Sequence, residues 1–267
     1  MLNAGQKSSF ERDGVIKVEG AFAGEWLDLA IEGIEQNRAT PGPFFRDQTR
    51  PGDPARYVFD YWSWTGIPAL TRFVHQSPAK TLAGELLGAD KVTLLMDNWF
   101  MNEAGATNAA PWHQDEPYFD YSGKMLNVLI SLDPGTEDEA LRFAVGSHRW
   151  GKVFKATDFK LKTPFDGQAD SGLADIPDVD AEAELVSFST QPGDCLIFDL
   201  RMLHRGPNHG RPASSLRRRL SLRFGLPDTV FEPRGAWTRE ISAHLMSLGQ
   251  EPGVPVDTPL TPILNVR

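Results

Sequence analysis

The sequence has one cysteine, Cys195, no internal repeat, and no apolar run of the roughly 20 residues that a bilayer span requires. A lone cysteine excludes an internal disulfide and any thiol-pair or zinc-ribbon chemistry, and it fits a reducing compartment. Its neighbours Leu196, Ile197 and Phe198 point instead to a buried strand. The opening MLNAGQKSSFERDG lacks a basic stretch followed by an apolar one, so no secretory leader is expected and the location is expected to be cytoplasmic. Basic charge is also scarce, with 27 Lys+Arg against 36 Asp+Glu and a formal net charge of −9. That balance sets up no field attractive to phosphates, so neither nucleic acid nor a membrane surface is expected as a partner. Nothing in the pattern specifies an oligomeric state.

What is present suffices for a folded core. The 267 residues are 40% hydrophobic and 24% charged, an ordinary globular composition, and one core can grow to about 250–300 residues. A single domain over 1–267 is therefore expected, with a helical flank over about 1–90, a β core over about 91–230 and a tail over about 231–267. In the flank, Val15 to Val18 reads as a strand, and Trp26, Leu29, Ala30 and Ile34 recur at helical spacing within Glu25 to Asn37. A second helix is expected from Ile67 to Leu87, ended by Gly88. From Lys91 onward the pattern changes to short runs between turn signals: 92–101, 112–119, 126–132, 141–145, 184–190, 194–200 and 217–226. Seven such strands with helices outside them indicate a mainly β sandwich or barrel. The Asp-, Gly- and Pro-rich stretch 155–183 reads as a long loop over the surface or a site.

The sharpest chemical signal is Pro111-Trp112-His113-Gln114-Asp115. On a strand, His113 and Asp115 would project to one side and Gln114 to the other. Imidazole plus carboxylate suits a borderline divalent metal, and a second histidine would complete the two-His-one-carboxylate triad of non-haem Fe(II) oxygenases. His204, at the exit of the apolar run 195–200, is placed to be that histidine. Beyond it, strand alternation puts Arg217, Arg219, Ser221 and Arg223 on one face, and so many guanidiniums on one side imply an anion.

These residues resemble the phytanoyl-CoA dioxygenase family of Fe(II)- and 2-oxoglutarate-dependent oxygenases. The resemblance runs through Phe10 to Val15, Trp112 to Tyr118, Leu132-Asp133-Pro134, Leu141 to Gly151, Pro192-Gly193-Asp194, His204 to Asn208 and the Arg-rich strand. It implies a double-stranded β-helix, a cupin-like jelly roll with flanking helices. It also implies that His113, Asp115 and His204 bind Fe(II) and carry catalysis with O2 and the co-substrate 2-oxoglutarate. The family's co-substrate arginine matches Arg217 best, with Arg219 as the second possibility, Ser221 as a further donor and Asn98 as a polar contact. Many members carry a lysine near position 102, where this chain has Asn102. The implied activity is oxidation of an unactivated C–H bond of a small organic molecule, most simply hydroxylation, with release of succinate and CO2. Related halogenases replace the carboxylate ligand by Ala or Gly, and Asp115 is present. The competing reading is a non-catalytic jelly-roll protein that holds a metal or small ligand.

Five aromatics crowd the eight residues 57–64: Tyr57, Phe59, Tyr61, Trp62 and Trp64. Two expectations follow for this block. It either borders the substrate opening or plugs the gap between helices and sandwich. Arg46, Arg50 and Arg56 around it are candidates to meet an anionic group.

Overall fold

Residues 1–169, 171–207 and 212–266 are described by the computed structural model. Helix α1 (Ala4–Asp13) starts at Asn3, whose side chain accepts the Gln6 N–H while the Gln6 side chain accepts the Asn3 N–H, both at 2.9 Å. This reciprocal cap satisfies two donors that a helix start leaves unpaired. Gly14 ends the helix at φ +84°, and a Cβ there would lie 2.3 Å from the His148 ring, so only glycine lets the opening helix approach that turn. The chain continues through β1 (Val15–Val18), α2 (Glu25–Ala39), β2 (Arg46–Asp47) and β3 (Tyr57–Tyr61). Then come α3 (Pro68–Gln76), α4 (Ala79–Leu87), β4 (Lys91–Asn102), β5 (Tyr121–Ser122), β6 (Met125–Ser131) and β7 (Arg142–Ala144). The remainder is α5 (Val179–Glu182), β8 (Leu185–Ser187), β9 (Cys195–Asp199), β10 (His204–Arg205), β11 (Arg217–Gly225), β12 (Val230–Phe231), α6 (Arg239–Ser247) and β13 (Ile263–Asn265).

The large sheet has the order β1-β9-β6-β11-β4-β3-β2, with β13 also on β4, and all its pairings are antiparallel. A smaller sheet, β10-β7-β8, makes up the second layer of the jelly roll. Outward-facing residues of the large sheet, such as Val58, Trp99, Leu220, Leu222, Val128 and Ile130, pack with Ile34, Leu70, Phe73 and Leu82 of the helices. Burial of that apolar face is the main stabilising term of the fold. Val15, Leu129, Phe143, Leu196, Phe198 and Met202 make a second cluster that includes residues of both sheets. Cys195 is fully buried on β9, and burial pushes its thiol pKa up.

Four expectations from the sequence are revised. The helix expected over 67–87 is two helices, because Pro78 lacks the N–H a continuous helix would need at that point. The run 112–119 is not a strand. It makes one bridge at His113 and then turns into a 3₁₀ segment, Glu116–Tyr118. The large sheet also recruits β1, β2 and β3 from the helical flank and β13 from the tail, so it crosses both expected boundaries. Lastly, the 57–64 block, absent from the expected strands, supplies one: β3 pairs with β4 from Tyr57↔Asn102 to Tyr61↔Asn98. No helix among the described residues is long and apolar enough to cross a membrane.

Candidate active site

His113 and His204 are brought together by the backbone. Each donates its N–H to the other's carbonyl at 2.9 Å, which sets the two imidazoles side by side with centroids 4.2 Å apart. The turn after His113, with Asp115 in helical backbone conformation, then swings the carboxylate to the same side. Gln114 goes the other way, its amide donating to the Arg201 and Lys152 carbonyls and accepting the Phe154 N–H. The expected sorting of side chains is therefore realised by a bridge and a turn instead of by strand alternation.

One donor atom from each of His113, Asp115 and His204 lies within 4.8 Å of the other two, and all three residues are buried. Their remaining polar atoms are committed elsewhere. His113 Nδ1 pairs with the Pro111 carbonyl at 2.8 Å and His204 Nδ1 with the Met202 carbonyl at 2.9 Å. Both contacts require Nδ1 to carry the proton, which leaves each Nε2 lone pair facing Asp115 Oδ1 at 3.6 and 3.7 Å. Burial and the neighbouring His113 push the His204 pKa down to about 3, so it stays neutral and able to ligate. Burial alone would raise the Asp115 carboxyl, yet the Arg223 guanidinium outweighs it and holds that carboxyl far below the usual range. The set fits a divalent iron: two neutral nitrogens, one anionic oxygen, and tautomers fixed by outer contacts.

Arg223, read from the sequence only as one of four residues on a face, has a specific position. Its Nε and Nη2 both lie 2.9 Å from Asp115 Oδ2, its guanidinium sits 4.6 Å over the Phe119 ring, and Asn127 Nδ2 adds a 3.2 Å contact to the same oxygen. Ser221 supports this arrangement by donating to Asn127 Oδ1 at 2.7 Å. Oδ2 is thus held by protein, leaving Oδ1 for a metal. Asn127 was not singled out in the sequence, where it stands in an apolar run with nothing to mark it.

The next inward residues of β11 face the same cavity of about 450 Å³ as the triad. Arg217 donates to the Glu139 carbonyl at 2.7 Å and lies 3.8 Å from its carboxylate. Glu139, the last residue of the acidic run Glu137-Asp138-Glu139, is buried, and it also accepts the Ser214 N–H. Arg219 is half-buried and lines the cavity, and desolvation there together with Arg217 pushes its pKa down to about 10. No hydrogen bond or ion pair engages its guanidinium among the described residues. Asn98 lines the cavity, with its Nδ2 donating to the Asp60 carbonyl at 2.7 Å.

The aromatic block divides. Tyr57, Phe59 and Tyr61 alternate onto the cavity face of β3. Trp62 and Trp64 do not reach it: Trp62 is buried against Phe44 and His244 with its indole N–H on the Leu95 carbonyl, and Trp64 joins the outer core. The expectation that both tryptophans border the substrate opening is corrected accordingly, because the strand ends at Tyr61 and the chain turns into the core at Trp62, φ +49°. Arg46 and Arg56 are engaged by Glu240 and Asp47. Asn208 and His209, which follow His204 in the sequence, lie outside the described residues.

The family model described as phytanoyl-CoA dioxygenase (PhyH) matches residues 10–213, which include all three triad residues and stop short of β11. A curated relative, dioxygenase FrzG of a Cladobotryum species, is 26% identical over 244 positions, covering 81% of this chain and 72% of its own. The fold is similar to that of the carbocyclase SnoK, at a TM-score of 0.77 and 16% identity over 99% of this chain and 97% of that one. It is also similar to the epimerase SnoN, solved with Fe3+, alpha ketoglutarate and nogalamycin RO, at 0.75 and 17% over 98% and 97%. EctD from S. alaskensis, solved with 2-oxoglutarate and 5-hydroxyectoine, matches at 0.64 and 18% over 88% and 80%. A jelly roll with a cavity lined by His113, Asp115 and His204, within a chain matched over most of its length, belongs to the phytanoyl-CoA dioxygenase (PhyH) family of Fe(II)- and 2-oxoglutarate-dependent oxygenases.

Proposed function

We propose that this enzyme hydroxylates an unactivated C–H bond of a small organic molecule, with Fe(II) on His113, Asp115 and His204 and with 2-oxoglutarate anchored on Arg219, backed by Arg217. The observation that carries the reading is the pairing, in one cavity, of a three-donor metal set with a half-buried guanidinium that has no hydrogen-bond or ion-pair partner among the described residues. A cation that has lost part of its hydration to a cavity, with no counter-charge beside it, carries an electrostatic cost. The distal carboxylate of 2-oxoglutarate offsets that cost, and the planar fork of arginine suits it. Arg217 is the family-pattern match, but Glu139 already engages it, so Arg219 is assigned the larger share.

When bound, Fe(II) and 2-oxoglutarate supply the activation of O2, with the co-substrate leaving as succinate and CO2. The chain's own residues hold the parts. Nδ1–H contacts fix both imidazoles, and Arg223 and Asn127 keep Asp115 from turning both oxygens to the metal. Asp115 also fills the position that a halide would need, which favours oxygen transfer. SnoN and SnoK are named an epimerase and a carbocyclase, so product analysis must accompany any turnover measurement. The test is succinate release from Fe(II)-loaded protein screened against small-molecule mixtures. Release above the substrate-free rate, lost in Asp115→Ala, supports the reading, and no 2-oxoglutarate turnover with any mixture supports the non-catalytic alternative.

A further inference from the structure

Six of the rings that line the cavity form two groups. On the large-sheet side, Phe59 and Tyr61 stand 5.4 Å apart and Phe44 lies 6.4 Å from Tyr61. On the metal side, Phe159 lies 4.7 Å from His113 and 5.3 Å from Tyr118, and Phe165 lies 6.3 Å from Tyr118. The other ring partners of the first group are Tyr57, Phe100, Trp62 and His244, and that of the second is His113. No ring contact joins the two groups among the described residues. Both groups line the one cavity that also holds the triad, so a ligand there meets rings from the large sheet and rings from the metal side.

The hydroxyls of the two tyrosines among these six rings are unequally committed. The Tyr118 hydroxyl donates to the Thr157 carbonyl at 2.7 Å and accepts the Thr157 N–H at 2.8 Å, so it presents only its ring. The Tyr61 hydroxyl has no hydrogen-bond partner among the described residues, and burial pushes its pKa up to about 12, so it remains a donor. Cations lining the cavity are already matched: Arg46 with Glu240, Arg223 with Asp115, Arg217 with Glu139. Arg219 is reserved for the co-substrate, a step that rests on the function proposed above.

We propose that the cavity binds a neutral, flat, conjugated ring system bearing a carbonyl oxygen, which Tyr61 meets as donor, and that it does not take an aliphatic or coenzyme-A-linked chain. A flat ring that meets these rings gains an electrostatic fit that an alkyl chain of equal area lacks, about 2- to 12-fold in affinity per ring contact. An acyl-coenzyme A would bring phosphates to a cavity whose cations other than Arg219 already face carboxylates.

The experiment uses the full chain loaded anaerobically with Fe(II) and 2-oxoglutarate, with flavone as the flat neutral carbonyl probe, read by tryptophan quenching. Decan-1-ol and decanoyl-coenzyme A serve as competitors. Flavone is expected to bind at least about tenfold tighter than either, with Phe159→Leu and Tyr61→Phe each weakening flavone about 2- to 12-fold and leaving decan-1-ol unchanged. Tyr61→Phe keeps the ring and the packing, so it tests the hydroxyl even where Phe159→Leu lowers stability. An aliphatic probe that binds as tightly as flavone, or flavone binding indifferent to both replacements, overturns the assignment. The Fe(II)–2-oxoglutarate charge-transfer band, recorded beforehand, separates the two failures. Its absence in wild type sinks the function proposed above, and its presence with no flavone preference sinks only the ring-system assignment.

Discussion

Along β11, Leu220, Leu222 and Phe224 turn outward to the helices and are at most 1% exposed, whereas Arg217, Arg219, Ser221 and Arg223 turn inward to the cavity. The same alternation divides β3 into Val58 and Asp60 outside and Tyr57, Phe59 and Tyr61 inside. The outer face is interchangeable apolar area whose contribution scales with what it removes from water. The inner face carries buried charges, each of which depends on one particular partner. Substitutions should therefore divide into those that unfold the protein and those that disable it.

The largest expected effect on function is Asp115→Ala, which removes the only anionic donor of the triad and should abolish Fe(II)-dependent turnover while the secondary structure persists. Circular dichroism beside a succinate assay checks both halves, and wild-type turnover in this variant would refute the metal assignment. Arg223→Leu breaks a buried pair and leaves Asp115 uncompensated, so the metal-free protein should lose about 3–5 kcal/mol. Fe(II) replaces part of the missing positive charge, so the loss should shrink in the loaded protein, a difference that denaturant melts with and without metal resolve.

Trp62→Ala, on the core side of the divide, should cost a similar 3–5 kcal/mol of stability with the coupling of 2-oxoglutarate turnover to substrate oxidation unchanged in what remains folded. Uncoupled turnover at full stability would instead place this side chain on the cavity. Asp97 gives the outer face a pH dependence. Burial raises its pKa to about 7 despite hydrogen bonds from the Ser63 hydroxyl and the Trp64 N–H. The folded state thus binds a proton that the unfolded chain releases at lower pH. This contribution is fully present below about pH 4 and is lost as pH rises through about 7, on the order of 4 kcal/mol at most. Asp97→Asn should flatten that slope in melts run across the range.

Legibility in the sequence followed the same divide. The jelly roll showed through because the outer-face residues of β6, β9 and β11 are apolar runs between turn signals, and the triad showed through because H-x-D and a distal histidine are rare residue types in a telling context. What did not show depends on where backbone ends meet. The strand expected at 112–119 is a bridge and a turn, since the H-x-D pattern reports which side its residues share and not how the backbone brings them there. Nor did the sequence separate Tyr61 from Trp62, which are adjacent aromatics until the strand ends between them. Glu139 looked like one member of an acidic run, and only the packing of Arg217 on it makes it a buried anion.

The smallest expected effect bears most directly on the central assignment, that a half-buried cation in the cavity awaits the co-substrate. Fe(II)-loaded wild type, Arg219→Ala and Arg217→Ala would be titrated anaerobically with 2-oxoglutarate while the charge-transfer band is followed. Losing charge-assisted hydrogen bonds of roughly 1.5–3 kcal/mol should raise the half-saturating concentration about 10- to 150-fold for Arg219→Ala, with a smaller rise for Arg217→Ala. Wild-type affinity in Arg219→Ala, with the large loss in Arg217→Ala, would contradict the account and move the carboxylate one alternation along the strand.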